Sequence, residues 1–221
     1  MSSKIECIKK ACSVNDEIFS LLLKNIKAMK TEKDIGNFIR KEARKRKLKI
    51  AFPPVVASGK NAAEIHHKPN KSKLKKGFLV VDFGVKVGGY CSDMTRTVYL
   101  GKASQKERQI YNNILSVQKS AVKKAKPGAE CFDIDCFVRK KLGKSREFFA
   151  HSLGHGVGKK IHEKPNLSPK TCAVLKKGDV VTIEPGIYKK KSFGIRIEDT
   201  ILVGKRPKAL TKSAKRLIEI K

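Results

Sequence analysis

Four acids of this chain stand inside runs that otherwise read as buried β-strand. Asp82 closes Leu79-Val80-Val81 and Asp93 precedes the run Met94 to Leu100, while Glu184 follows Val180 to Ile183 and Glu198 lies within Gly194 to Val203. Gly88-Gly89 marks a turn between the first two. With that turn centred between Val87 and Gly88, Asp82 falls directly opposite Asp93, and opposed side chains have Cβ atoms about 5 Å apart on one face of the hairpin. Two carboxylates held that close in apolar surroundings repel, and one must take up a proton unless a cation neutralises them. A loop centred on Lys191 sets Glu184 opposite Glu198 in the same way. A bound metal resolves both conflicts.

An imidazole is available between the two hairpins. The run His151-Ser152-Leu153-Gly154-His155-Gly156-Val157-Gly158 places His155 among three glycines, which let backbone approach a ligand and leave room beside the ring. As a phosphate-binding loop the segment is weak, because no Gly-Lys-Ser/Thr follows it. His66, His151, His155 and His162 all precede or flank the acidic hairpins.

The elements that must position these groups are legible in outline. Ile5, Ile8, Cys12, Ile18, Leu21, Leu22 and Ile26 recur at helical spacing over residues 5–29. Thr31 with Asp34 forms an N-cap pattern for a second helix whose inner stripe is Ile35, Phe38 and Ile39. Phe52 to Ser58 reads as extended, Phe78 to Val87 and Tyr90 to Leu100 as paired strands, and Gln105 to Lys124 and Cys131 to Leu142 as helices. Extended segments follow at Val180 to Tyr188 and Gly194 to Val203. Lys75-Lys76-Gly77-Phe78-Leu79-Val80-Val81-Asp82 is echoed by Lys176-Lys177-Gly178-Asp179-Val180-Val181-Thr182-Ile183-Glu184, and each hairpin ends in Gly-Lys, at Gly101-Lys102 and Gly204-Lys205. Matched acids on matched strands indicate a duplicated unit, with halves at about 1–126 and 127–221 of a single domain.

Composition limits the classes of function. The chain has 221 residues with 40% hydrophobic residues, enough for a sizeable core. No apolar run is long enough to span a bilayer, and Met1 to Lys10 lacks the pattern of a signal peptide, so the reading is a soluble, cytoplasmic protein without a membrane role. Six cysteines without a Cys-x-x-Cys pair read as free thiols of a reducing compartment. A net charge of +31 would suit non-specific contact with RNA or the ribosome, or is a lysine-rich background spread over every solvated face. Few aromatics accompany the basic residues, so a base-stacking platform is not indicated.

Five segments, in order, carry a family resemblance: Val81-Asp82-Phe83-Gly84 with Tyr90-Cys91-Ser92-Asp93-Met94-Thr95-Arg96-Thr97, then Gly154-His155-Gly156-Val157-Gly158, Ile161-His162-Glu163, Thr182-Ile183-Glu184-Pro185-Gly186-Ile187-Tyr188 and Arg196-Ile197-Glu198-Asp199. Together they resemble the M24 metallopeptidases over about residues 5 to 205. The resemblance implies the α+β pita-bread (creatinase/aminopeptidase-like) fold: two pseudo-symmetric halves of helices packed on a curved, mostly antiparallel sheet. The Ser92 to Thr97 run, His151 ahead of His155, and Val56-Ala57-Ser58-Gly59-Lys60-Asn61 through His66-His67 resemble the Xaa-Pro branch, prolidase and aminopeptidase P. Two departures bear on substrate. Ile65 stands where many of those relatives have proline, and this chain matches the catalytic part without the N-terminal domain that Xaa-Pro enzymes usually carry.

By that resemblance Asp82, Asp93, His155, Glu184 and Glu198 are the metal ligands. This oxygen-rich set suits two divalent ions, Mn²⁺ or Co²⁺ first, with Fe²⁺ or Zn²⁺ also accommodated. Two such ions about 3.5–4 Å apart share a bridging hydroxide and clamp the attacked carbonyl. Glu184 is then the general base, His66 and His162 bind the substrate and developing oxyanion, and His151 encloses the substrate. Arg196 either orients the acids or holds a dipeptide's carboxylate, unless it is a surface ion pair. The expected partner is a peptide, with a homodimer open. Two further readings stay open: a methionine aminopeptidase on nascent chains, and a non-catalytic M24-fold protein binding nucleic acid or ribosome. Retention of all five ligands counts against the second.

Overall fold

The computed structural model describes residues 3–221. Its first helix, α1 (Lys4–Asn25), starts at Ser3, whose hydroxyl accepts from the Glu6 amide while the Glu6 carboxylate accepts from the Ser3 amide. The second, α2 (Glu32–Lys45), starts at the expected cap, with the same reciprocal pair between Thr31 and Asp34. Short strands β1 (Lys49–Ile50) and β2 (Val55–Ser58) lead to β3 (Gly77–Phe83), β4 (Val85–Val87), β5 (Tyr90–Cys91) and β6 (Met94–Leu100). One face of this β2-β3-β6 sheet meets both helices, in a core of residues such as Phe19, Leu22, Ile35, Ile39, Val56, Leu79, Val81 and Val98.

The plan then repeats. Helices α3 (Gln105–Lys124) and α4 (Cys131–Leu142) precede β7 (Gly154–Gly156), β8 (Glu163–Leu167), β9 (Val180–Ile183), β10 (Gly186–Lys189), β11 (Phe193–Arg196) and β12 (Asp199–Leu202). Strands β13 (Lys208–Ala209) and β14 (Glu219–Ile220) close the chain on the second and first sheets respectively. A second core joins Tyr111, Ile114, Ile134 and Val138 to Val181, Ile195 and Ile201. Helix α3, placed in the first half by sequence, thus shares its core with α4 and the second sheet. Among the described residues no helix is long and apolar enough to cross a membrane.

The expected strands are interrupted, and one register differs from the sequence reading. The run Phe78 to Val87 breaks at Gly84, where a Cβ would lie 1.9 Å from the Ser92 carbonyl oxygen. Gly88 and Gly89 both have positive φ, 57° and 82°, so both form the centre of a tight hairpin turn between paired Val87 and Tyr90. This moves the turn centre one residue along. Asp82 therefore faces Thr95, not Asp93. Asp93 lies diagonally, two residues before Thr95, which returns it to Asp82's side of the ribbon. In the second hairpin the Lys191-centred register holds: Gly186 faces Arg196, and Ile183 faces Asp199 on the far side of a break. Glu184 and Glu198 stand at that break.

The two hairpins lie edge to edge. The Glu198 amide donates to the Thr95 carbonyl at 3.1 Å, Thr97 Oγ1 accepts from the Arg196 amide and donates to its carbonyl, and Thr200 Oγ1 donates to the Asp93 carbonyl. These contacts bring four acids from two hairpins into one place.

Candidate metal centre

All nine residues singled out by sequence reach a single cavity of about 690 Å³ between the halves. Ligand-capable atoms of Asp93, His155 and Glu198 lie within 4.8 Å of one another. His155 Nε2 is 3.6 Å from Asp93 Oδ2 and 3.4 Å from Glu184 Oε1. Asp82 joins from the neighbouring ribbon, held by Arg196 Nη2 at 2.7 Å. The glycines beside His155 serve packing rather than ligand approach. A Cβ on Gly154 would lie 2.0 Å from the Thr182 carbonyl oxygen, and one on Gly156 would lie 2.4 Å from that of Lys164.

Asp82, Glu184 and Glu198 each have one side fixed by a donor. Thr95 Oγ1 donates to Glu198 Oε2 at 2.7 Å, and Thr182 Oγ1 donates to Glu184 Oε1 at 3.1 Å. The other side is open: Asp82 Oδ1 and Glu198 Oε1 are buried oxygens without a hydrogen-bond partner. A buried anionic oxygen left so is costly unless a cation neutralises it. Burial, reinforced by Glu198, Asp82 and Glu184, holds the Asp93 carboxyl well above the usual range. Burial, with Glu184 and Asp82 as neighbours, does the same for Glu198. Glu184 is pushed up to about 8 by burial, against the pull of Arg196. Burial lowers His155 to about 4, so its ring is neutral and free to offer a lone pair. Hard oxygens, one neutral imidazole and a deficit of positive charge fit divalent cations.

Arg196 is not a surface ion pair. It is 3% exposed, with Nε on Thr95 Oγ1 at 2.9 Å, Nη1 on the Tyr188 hydroxyl at 2.9 Å and on the Ile65 carbonyl, and Nη2 on Asp82. Its guanidinium is thus bonded to groups of the site itself, on Nε, Nη1 and Nη2 alike. The Tyr188 hydroxyl also lies 2.8 Å from His151 Nε2, and burial, aided by nearby Arg196, lowers that histidine to about 3. His162 stacks edge-on against His155 with ring centroids 4.4 Å apart.

Sequence reasoning missed the supports. Thr95, Thr182 and Tyr188 lay inside recognised segments without a role; only the corrected register puts Thr95 beside Asp82. Behind Glu198, Arg96 donates to Asp199 at 2.8 Å and to the Glu198 carbonyl, while Gln118, Thr211 and Lys215 complete the shell of Asp199.

Comparison with known proteins follows the same lines. The profile of metallopeptidase family M24 matches residues 6–205. The chain is 39% identical over 221 residues to an Xaa-Pro dipeptidase of Pyrococcus furiosus, an alignment covering 97% of this chain and 63% of that protein. The crystal structure of an X-Pro aminopeptidase from Thermotoga maritima superposes with a TM-score of 0.94 at 34% identity, covering 98% of this chain and 63% of that one. An Xaa-Pro dipeptidase from Bacillus anthracis gives 0.93 at 35% identity, over 100% of this chain and 63% of its own. The chain thus spans somewhat under two thirds of the length of these relatives.

Proposed function

Because this chain belongs to metallopeptidase family M24 and has its pita-bread α+β fold, we propose that it removes the N-terminal residue from short peptides, at bonds preceding proline. The carrying observation is the pair of orphaned oxygens, Asp82 Oδ1 and Glu198 Oε1, in a cavity where Asp93, His155 and Glu198 converge. Family membership makes the chemistry that of divalent metals; Asp82, Asp93, His155, Glu184 and Glu198 would hold two of them, with Mn²⁺ or Co²⁺ favoured by the oxygen-rich set. Bound there, the ions would supply Lewis-acid polarisation of the carbonyl and of the attacking water.

The remaining work falls to side chains. Glu184, which lines the cavity with Oε1 3.4 Å from His155 Nε2, takes the proton of the attacking water and delivers it to the departing amine. His66 and His162 hydrogen-bond the substrate and the oxyanion as it develops. His151, neutral and held by Tyr188, walls the substrate without adding charge. Arg196 holds Asp82 in place through Nη2 at 2.7 Å, its charge opposing the upward push of burial on that carboxyl. The relatives' names favour Xaa-Pro substrates over the N-terminal methionine of nascent chains.

A panel of Xaa-Pro, Xaa-Pro-Yaa and Met-Ala-Ser peptides tests this, using metal-stripped protein with and without Mn²⁺ or Co²⁺. Metal-dependent cleavage confined to the proline peptides is expected. Cleavage of Met-Ala-Ser alone, or cleavage indifferent to metal, contradicts the reading.

A further inference from the structure

Away from the acid cluster, a densely bonded titratable group centres on Glu32. This carboxylate is fully buried at the start of α2. Its Oε1 accepts from the Ser58 amide at 2.8 Å, the Ser58 hydroxyl at 3.2 Å and Asn61 Nδ2 at 3.0 Å, and its Oε2 lies 2.8 Å from His67 Nε2. The other ring nitrogen of His67 is 2.8 Å from Glu64 Oε2. A ring bonded to a carboxylate at each nitrogen donates twice, and only the imidazolium has two N–H groups. One buried acid thus ties together residues 58, 61 and 67.

The segment it ties is a wall of the catalytic cavity. Residue 66, next to the clamped His67, is a histidine exposed to the cavity, and among the described residues it forms no hydrogen bond. The segment is pinned from its other side too. Arg196 Nη1 reaches the Ile65 carbonyl at 3.4 Å, and Ala62 packs so closely on β11 that a Cβ on Gly194 would lie 1.7 Å from its carbonyl oxygen. The backbone on both sides of His66 is fixed, while its imidazole is left free to meet a ligand. A side chain that must catch a developing charge gains by being held in place beforehand.

We infer that Glu32 and His67 are positioning residues for His66: the Glu32–His67–Glu64 relay fixes the backbone at 65–67 so that His66 presents its ring to the substrate. Neither residue bonds any of the five proposed metal ligands. This rests on the proposed peptidase reading for its kinetic consequence, but not for its geometric one.

The test is a double-mutant cycle joined to a spectroscopic readout. Glu32→Gln and His67→Gln are expected to lower kcat/KM on an Xaa-Pro peptide by about 10- to 100-fold, the usual span for supporting residues. In a His66→Ala background the same changes should cost less than about 2-fold, because their route of action is gone. Bound metal per chain stays as in wild type. With ¹⁵N-labelled histidine, Glu32→Gln should shift the His66 ring signals and leave those of His155 in place. Glu64→Gln, a change at an exposed side chain that does not threaten folding, should give the same pattern with a smaller shift. Losses that multiply fully in the His66→Ala background, or His66 signals unmoved in Glu32→Gln and Glu64→Gln, would overturn the inference. A wild-type chain that cleaves no Xaa-Pro peptide would refute the functional reading, and the ring signals would still decide this one.

Discussion

Two histidines of this molecule sit between pairs of carboxylates, and they end in opposite states. His67 touches Glu32 and Glu64 at 2.8 Å on its two nitrogens; burial opposes its charge, yet the two acids hold it above the ordinary histidine range. His155 lies 3.4 Å from Glu184 and 3.6 Å from Asp93, longer than a good hydrogen bond, and burial takes it down to about 4. Around Glu32 the donors are in place. Around His155, oxygens of Asp82 and Glu198 have none. The first group is a closed ion pair that serves as scaffold. The second is short of positive charge, and one neutral ring cannot supply what four acids need.

The largest effect expected from breaking the open group is on rate. Glu184→Gln should cut kcat on an Xaa-Pro peptide by about 10²- to 10⁴-fold, the range for losing a general base, with the melting temperature kept. Turnover at the wild-type level would remove Glu184 from that role. Next comes Arg196, the cation bonded to Asp82. Arg196→Met strands Asp82 as a buried charge and should cost about 3–5 kcal/mol in urea unfolding of the metal-free protein. A cost under about 1 kcal/mol would show that Asp82 does not depend on it.

The two histidines sharpen the contrast directly. In metal-free protein, His67→Gln should destabilise by about 1–3 kcal/mol, since it strips Glu32 of a buried partner. His155→Gln should change metal-free stability far less and instead weaken metal binding. Equal stability losses from both would erase the distinction between scaffold and open site.

The smallest effect concerns pH. Folded Glu184 keeps its proton up to about 8, where the unfolded carboxyl releases it near the ordinary glutamate value of 4.5. The folded state binds more protons across that window, so stability falls as pH rises through it. His155 acts in the opposite sense, but only between about 4 and the ordinary histidine value of 6.5. Above pH 6.5 the metal-free protein should therefore lose stability on the way to 8 through its acids. His67 adds to that fall, because its raised pKa gives stability that is present at lower pH and lost as pH climbs through the folded value. Saturating metal should abolish the share due to the acids and leave that of His67. A slope unchanged by metal, followed by thermal melts across pH 6.5–8, would count against cation binding at the acids.

Much of this was legible in the chain because local chemistry dictates it. Helices α3 and α4 fall on the residues that periodicity marks, and Thr31 caps α2 as its spacing with Asp34 requires. The second hairpin kept its register because Lys191 does sit at the tip, with φ of 59°. The first did not, since two adjacent glycines leave open which of them is the centre, and one step moved Asp82 opposite Thr95. The acids still converge, because diagonal neighbours share a face. Contacts between distant segments were not legible. Nothing local to Glu32 announces His67, 35 positions away, or marks Arg196 as the partner of Asp82, 114 positions away.

Elemental analysis of the purified, dialysed wild-type chain after exposure to Mn²⁺ or Co²⁺ tests the central claim most directly, with Asp82→Asn beside it. Two tightly held divalent ions per wild-type chain, and fewer in Asp82→Asn, are the predicted result. A wild-type chain that retains no stoichiometric metal, or an Asp82→Asn variant that still holds two, would contradict it.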